Sequence, residues 1–226
     1  MVNFGEAIKR PFQDFKKLGI GALMYMIPLV NIITGFFSSG YGLECAKTGM
    51  KKKYELPKWA DWGNLWVKGF LCFLIGAIYC IPLAIIFVIT LGATLFGSLL
   101  MLFFEANPQA FMSGFGTISS SLIWFFLVGL LTIYIIPMAI MFFVDKGKFS
   151  DAFKLGMVLK KAFASEYLAA WIIVMIYSFV VGVVASLLSA ITTITVILPL
   201  IIMGFANMIL VITSMTVFGE VYSEIK

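Results

Sequence analysis

A chain of 226 residues that is 62% hydrophobic and only 12% charged cannot build a water-facing surface, because a soluble domain carries about 25% charged residues. Its mean hydropathy of +1.07 makes lipid the main solvent, and its formal charge of +5 belongs to segments outside the lipid. Ordinary soluble folds are excluded, and an all-α membrane protein is expected, since helices satisfy their own backbone groups in hydrocarbon.

The amino-terminal segment, residues 1–17, holds four basic and two acidic residues. Within it Phe4, Ile8, Phe12 and Phe15 recur at helical spacing with charges between them. That pattern predicts an amphipathic helix lying in the membrane interface, which Pro11 divides or restarts.

Residues 18–43 form the first uncharged run, long enough for one crossing of roughly 20 residues. It lies between two basic clusters, which a single crossing would put on opposite sides of the membrane. Three readings stay open: an outside amino terminus with five spans, a re-entrant hairpin tipped near Pro28 to Asn31, or a six-span chain. In the last of these, residues 69–104 cross twice.

Glu44 to Lys68 holds six basic and three acidic residues. Lys51, Lys52 and Lys53 form a juxtamembrane patch suited to anionic headgroups, and equally to a plain topology signal. Trp59, Trp62 and Trp66 are expected to anchor this segment at headgroup level.

The next uncharged runs, 69–104 and 106–144, are separated by Glu105 alone. Residues 145–166 form a third basic segment, in which Phe149, Phe153, Met157 and Lys160 share a helical face. The last run, 167–219, is too long for one crossing and should turn near Thr192 and Thr193. Basic loops stay cytoplasmic. The expectation is a multi-pass protein of the cell membrane, with its lysine-rich loops inside and Glu105 outside.

One motif recurs along the chain. Met24 to Leu29, Ile78 to Ile85 and Ile133 to Ile140 each carry Tyr two residues before an Ile-Pro step, and the prolines fall 54 and 55 residues apart. A looser copy ends at Pro199. Steady self-similarity suggests a duplicated unit. Proline inside a helix bends it, so kinks are expected at Pro28, Pro82, Pro137 and Pro199.

Inside the apolar runs the polar groups are hydroxyls and amides. Asn31, Ser38, Ser39, Asn207 and Thr213 are candidates for a polar lining, or for hydrogen bonds between helices. Ser178, Gly182, Ser186 and Ala190 recur every four residues, a small-residue face for helix packing within the chain or with another copy. Cys45, Cys72 and Cys80 are odd in number and spaced as apolar fillers rather than as a disulfide framework.

The chain has no histidine, which removes the commonest general base and metal ligand. No carboxylate lies well inside an apolar run, as a proton relay would require. P-loop and hydrolase motifs are absent from the sequence. No catalytic, cofactor-binding or metal-binding residue is therefore assigned, and nucleic acid is not an expected partner.

Several of these residues fit a known pattern. Phe4-x-x-Ala7, Pro11-Phe12, Gly40-Tyr41, Leu56-Pro57-x-Trp59-x-Asp61-Trp62, Gly69 and Tyr79-x-x-Pro82 are similar to an uncharacterised prokaryotic membrane family. That family is largely archaeal and is catalogued as domain of unknown function 4013. The resemblance covers most of the chain and implies a polytopic helical protein with no assigned activity.

Together these observations predict one integral membrane domain over residues 1–226. It would be a bundle of about five membrane helices (four to six), Pro-kinked, with interfacial amphipathic helices. The expected role is non-enzymatic: a self-associating scaffold or an accessory subunit, with lipids and further membrane subunits as partners. The alternative is a passive channel or carrier for a small solute.

Overall fold

A computed structural model describes residues 2–26, 30–104, 108–192, 195 and 197–225. Among the described residues the chain is helical, with no strand. The helices are α1 (Phe4–Lys9), α2 (Phe15–Met26), α3 (Asn31–Gly49), α4 (Trp62–Tyr79), α5 (Ile81–Phe104), α6 (Pro108–Lys146), α7 (Leu155–Ala162), α8 (Ser165–Ile191) and α9 (Ile197–Glu224). Two 3-10 turns, Arg10–Gln13 and Phe149–Phe153, precede α2 and α7. Among the described residues four segments are long and apolar enough to cross a membrane: Trp62–Tyr79, Ile123–Lys146, Ser165–Ile191 and Ile197–Glu224.

The packing separates two units: residues 1–75 with 137–226, and residues 76–136. The larger is built around α9, against which α2, α3 and α8 all pack. Its buried cluster joins Leu18, Tyr41, Cys45, Leu56, Met208 and Ile212.

The first hydrophobic run folds as a hairpin. Thr34 donates to the Met24 carbonyl at 2.6 Å and Ser38 to the Gly21 carbonyl at 3.3 Å, so α3 runs antiparallel to α2. At a rise of 1.5 Å per residue, α2 is roughly 18 Å long and α3 about 28 Å. The antiparallel pair matches the hairpin among the sequence readings, and residues 69–104 are divided between α4 and α5. Pro28 lies outside the described residues.

Glycines let the backbones of these helices touch. A Cβ on Gly40 would lie 1.9 Å from the Leu65 carbonyl oxygen, and one on Gly69 would lie 1.8 Å from that of Phe36. Each helix thus presents a carbonyl to its partner's glycine one turn away, in a reciprocal crossing of α3 and α4. The α3–α9 crossing repeats the arrangement, with Gly219 against the Ala46 carbonyl and Gly49 against that of Thr216.

The last run turns where its threonines predict. Thr192 ends α8, its N–H bonded to the Leu188 and Ser189 carbonyls. Tyr167 then meets Phe218 across the antiparallel α8–α9 pair, ring centroids 5.9 Å apart. Thr193 lies outside the described residues.

The smaller unit is a second antiparallel pair, α5 with the first part of α6. Phe87 contacts Phe125 at 5.5 Å, and Gly129 faces Leu83.

The prolines differ from their expected role. Pro82 stands second in α5 and Pro199 third in α9, in first turns where the missing N–H has no helical partner to lose. Of the described members of the series, Pro137 lies inside a helix, where proline does remove a hydrogen bond. Local repetition of the motif therefore does not impose one local structure.

Candidate functional site

Three of the sequence's charged segments and the carboxyl-terminal turn of α9 gather at one end of the larger unit. Arg10 ties them together. Its side chain is fully buried. Nη1 donates to the Cys45 carbonyl at 2.9 Å and to Thr216 Oγ1 at 2.7 Å. Nη2 donates to Thr48 Oγ1 and, at 2.9 Å, to the Glu55 carbonyl. Burial lowers the affinity of this guanidinium for its proton, with Cys45, Tyr41 and Tyr54 opposing that effect. Arginine remains charged even so, and its planar fork reaches α3, α9 and the following loop at once.

Glu220 is the second buried charge, also fully enclosed. Its Oε1 accepts from the Asn3 N–H at 3.0 Å and from the Tyr54 hydroxyl at 2.9 Å, while Oε2 has no hydrogen-bond partner. Burial, then the bond to Glu220, pushes the Tyr54 phenol up to about 12. Asn3 also caps α1, accepting from the Glu6 N–H at 3.2 Å.

The loop between α3 and α4 is fastened by backbone acceptors. Tyr41 donates to the Pro57 carbonyl at 2.9 Å and Lys17 to the Leu56 carbonyl at 2.8 Å. Trp59 donates back to the Lys17 carbonyl at 2.9 Å. Its ring stacks on Tyr41 at 4.1 Å and on Trp62 at 5.4 Å, and Trp59 is half-buried.

Lys161 closes the other side. Its ammonium donates to the Tyr222 carbonyl at 3.0 Å and the Ile225 carbonyl at 2.6 Å, a favourable use of a cation at a helix carboxyl end. It also lies 4.1 Å from the centre of the Tyr222 ring. The Tyr222 hydroxyl donates to Asp145 at 3.0 Å. Burial lowers the Lys161 pKa, Asp145 raises it, and Lys146 adds to the lowering.

Between these groups lies a cavity of about 740 Å³, lined by Lys47, Lys51, Lys146, Lys160, Lys161 and Asp145, with Phe142 and Met157 among its apolar walls. A second cavity of about 440 Å³ sets Lys17, Lys53 and Lys58 against Asp14 and Glu55. A third, of about 290 Å³, sets Lys47 and Lys68 against Glu44. The first is therefore the one with a large excess of positive charge.

The lysine triplet is split by the turn that ends α3. Lys51 lines the first cavity and Lys53 the second. Lys52, with a positive φ of 53°, pairs with Glu224 at 2.8 Å.

The proposed polar-lining residues are scattered. Ser38 is buried, Ser39 and Asn31 are half-buried, and Asn207 is exposed and bonded to the Met203 carbonyl of its own helix at 2.8 Å. Thr213 is buried and its hydroxyl has no partner. On α8, Ser178 and Gly182 are half-buried, Ser186 and Ala190 are exposed, and Gly182 has open space beside it.

Sequence reading missed Arg10, Glu220 and Lys161 as the groups that join the segments. Each looks like one more charge in a solvated cluster, and no local pattern marks it as buried. Among the described residues no three His, Cys, Asp or Glu side chains converge as a metal site would need.

Fold and site together define an all-α membrane protein: among the described residues four helices are long and apolar enough to cross a membrane, and a dense charged node lies at one end of the larger unit. The chain belongs to the family described as a protein of unknown function, domain of unknown function 4013, which it matches over residues 23–190. Comparison with curated proteins and with solved structures gives no match. Several residues within the matched span are in contact. Leu56 is buried, Tyr41 is bonded to Pro57 and stacked on Trp59, and Gly40 and Gly69 form the α3–α4 crossing.

Proposed function

We propose that this protein is a non-enzymatic membrane scaffold or accessory subunit, with its charged node at the cytoplasmic face. The observation that carries this reading is where the polar groups inside the apolar helices spend their hydrogen bonds. Thr34, Ser38, Asn207 and Ser214 all donate to backbone carbonyls. Glycine contacts bring α2, α3, α4 and α9 to backbone contact. Thr34 and Ser38 bond across to α2 and so hold two helices together, Asn207 and Ser214 bond within α9, and none of these donors is free to hydrate a passing solute.

The node supports an interfacial role. Ile8, Phe12 and Phe15 are 37%, 47% and 68% exposed, while Ala7 and Arg10 on the opposite side are fully buried. That leaves an apolar stripe for the bilayer boundary. Self-association would use α8, where Gly182 leaves room for a close neighbour.

Reconstitution separates this reading from a passive pathway. Proteoliposomes are expected to show no flux of ions or small neutral solutes above protein-free vesicles, and the protein to run as a defined oligomer in nanodiscs. Flux that falls in Asn31→Leu or Asn207→Leu variants would replace the scaffold with a channel. Sidedness has its own check: a cysteine placed at Lys148 should label with a membrane-impermeant maleimide only after the cells are opened.

A further inference from the structure

The 740 Å³ cavity has the size of an ordinary ligand pocket, roughly 300–1,000 Å³. Five lysines line it and one carboxylate. That carboxylate is already engaged: Asp145 accepts from Tyr222 at 3.0 Å and pairs with Lys146 at 3.1 Å. Lys161 is also occupied, by the carbonyls that end α9. Among the described residues Lys47, Lys51 and Lys160 carry no ion pair.

Concave walls focus the potential of these charges. Phe142, Val144 and Met157 make part of the wall apolar. Lys146 and Tyr222 belong to the last turns of two candidate membrane spans, which puts the cavity where a lipid headgroup sits. Lysine serves as a point charge for phosphate oxygens, and a cluster of such points suits a phosphate whose negative charge no cation of its own balances.

We propose that this cavity is a binding site for a phosphate-bearing anion, held chiefly by Lys47, Lys51 and Lys160 and completed by Lys146. The chemistry is shared by the headgroup of an anionic phospholipid and by a soluble phosphate compound. The inference goes beyond the scaffold reading and stands whether or not the protein also conducts a solute. Occupancy neutralises mutual repulsion among the lysines, so the ligand stabilises the fold by mass action.

The test uses the full chain in neutral detergent at fixed ionic strength, with the unfolding temperature as readout. Phosphatidylglycerol, phosphatidylcholine and inorganic pyrophosphate are titrated separately. Phosphatidylglycerol is expected to raise Tm saturably and phosphatidylcholine to leave it unchanged. A rise with the lipid alone assigns the site to a headgroup, and an equal rise with pyrophosphate assigns it to a soluble phosphate.

The triple variant Lys47→Gln, Lys51→Gln, Lys160→Gln should bind on the order of a hundredfold more weakly, at about fivefold per lysine removed. Its Tm without anion should match or exceed the parent's, since repulsion is relieved. The control, Lys16→Gln, Lys53→Gln, Lys58→Gln, removes the same charge elsewhere and should bind as the parent does. The proposal is overturned if neither anion shifts Tm, or if both triple variants weaken binding equally, which would mean diffuse attraction to a basic surface.

Discussion

Replacing Arg10 with methionine is expected to destabilise the protein by about 3–5 kcal/mol, because several buried or half-buried acceptors lose a charged donor at about 1–3 kcal/mol each. Methionine fills a similar volume, so the loss is not one of packing. What remains is a set of acceptors that have lost their arginine donor: the Cys45 and Glu55 carbonyls and the Thr48 and Thr216 hydroxyl oxygens, of which Cys45 still accepts from Thr48. Each buried group left unpaired costs about 1–3 kcal/mol, and Thr48 and Thr216 keep the bonds that their hydroxyls already donate within their own helices. Arg10→Lys keeps the charge but not the planar fork that serves four acceptors. It should fall between parent and methionine variant. Unfolding in mixed detergent micelles checks the order. A methionine variant within about 1 kcal/mol of the parent would mean that the node is ornament rather than clamp.

The second large effect lies at the α3–α4 crossing. Gly40→Ala and Gly69→Ala each place a methyl group under 2 Å from a backbone carbonyl oxygen, 1.9 Å and 1.8 Å respectively. A carbonyl in a helix cannot swing aside as a side-chain end can. The helices must separate, and the stacked rings of Trp66 and Phe70 around Phe36 lose contact with them. Each substitution should cost about 3 kcal/mol, the upper part of the overpacking range. The two should be far from additive, because separation forced by one methyl group makes room for the other. Gly63→Ala and Gly156→Ala meet no atom within 4 Å and should be neutral, or stabilising by up to about 1 kcal/mol. Additive losses at the crossing, or equal losses at all four glycines, would refute the reciprocal contact.

Much of the architecture was legible because lipid is an unforgiving solvent. Uncharged runs mark buried or lipid-facing helices wherever they occur, and Thr192 marked the turn between α8 and α9. The first run was harder. Its length fitted one crossing, and only the clash with lysines on both flanks hinted that it returns. The prolines misled for a related reason. A Tyr-x-x-Pro string reads the same in a helix interior as at a helix start. Which one it becomes at Pro82 or Pro199 depends on where the preceding helix ends.

The charged node was the least legible part. Arg10 sits among Lys9, Lys16 and Lys17 in the sequence and resembles them. It is buried because α3, α9 and the Glu55 loop, 35 to 206 residues away along the chain, bring their oxygens to one point. The lysine-lined cavity likewise draws on residues from 47 to 223. The amino-acid pattern alone determined that the chain is helical and apolar and where its charges cluster, because those properties depend on each residue's own solvation. Which charges are clamped, which glycines touch a backbone and which lysines face a common space was decided only by tertiary packing, because those outcomes depend on partners that no local window contains.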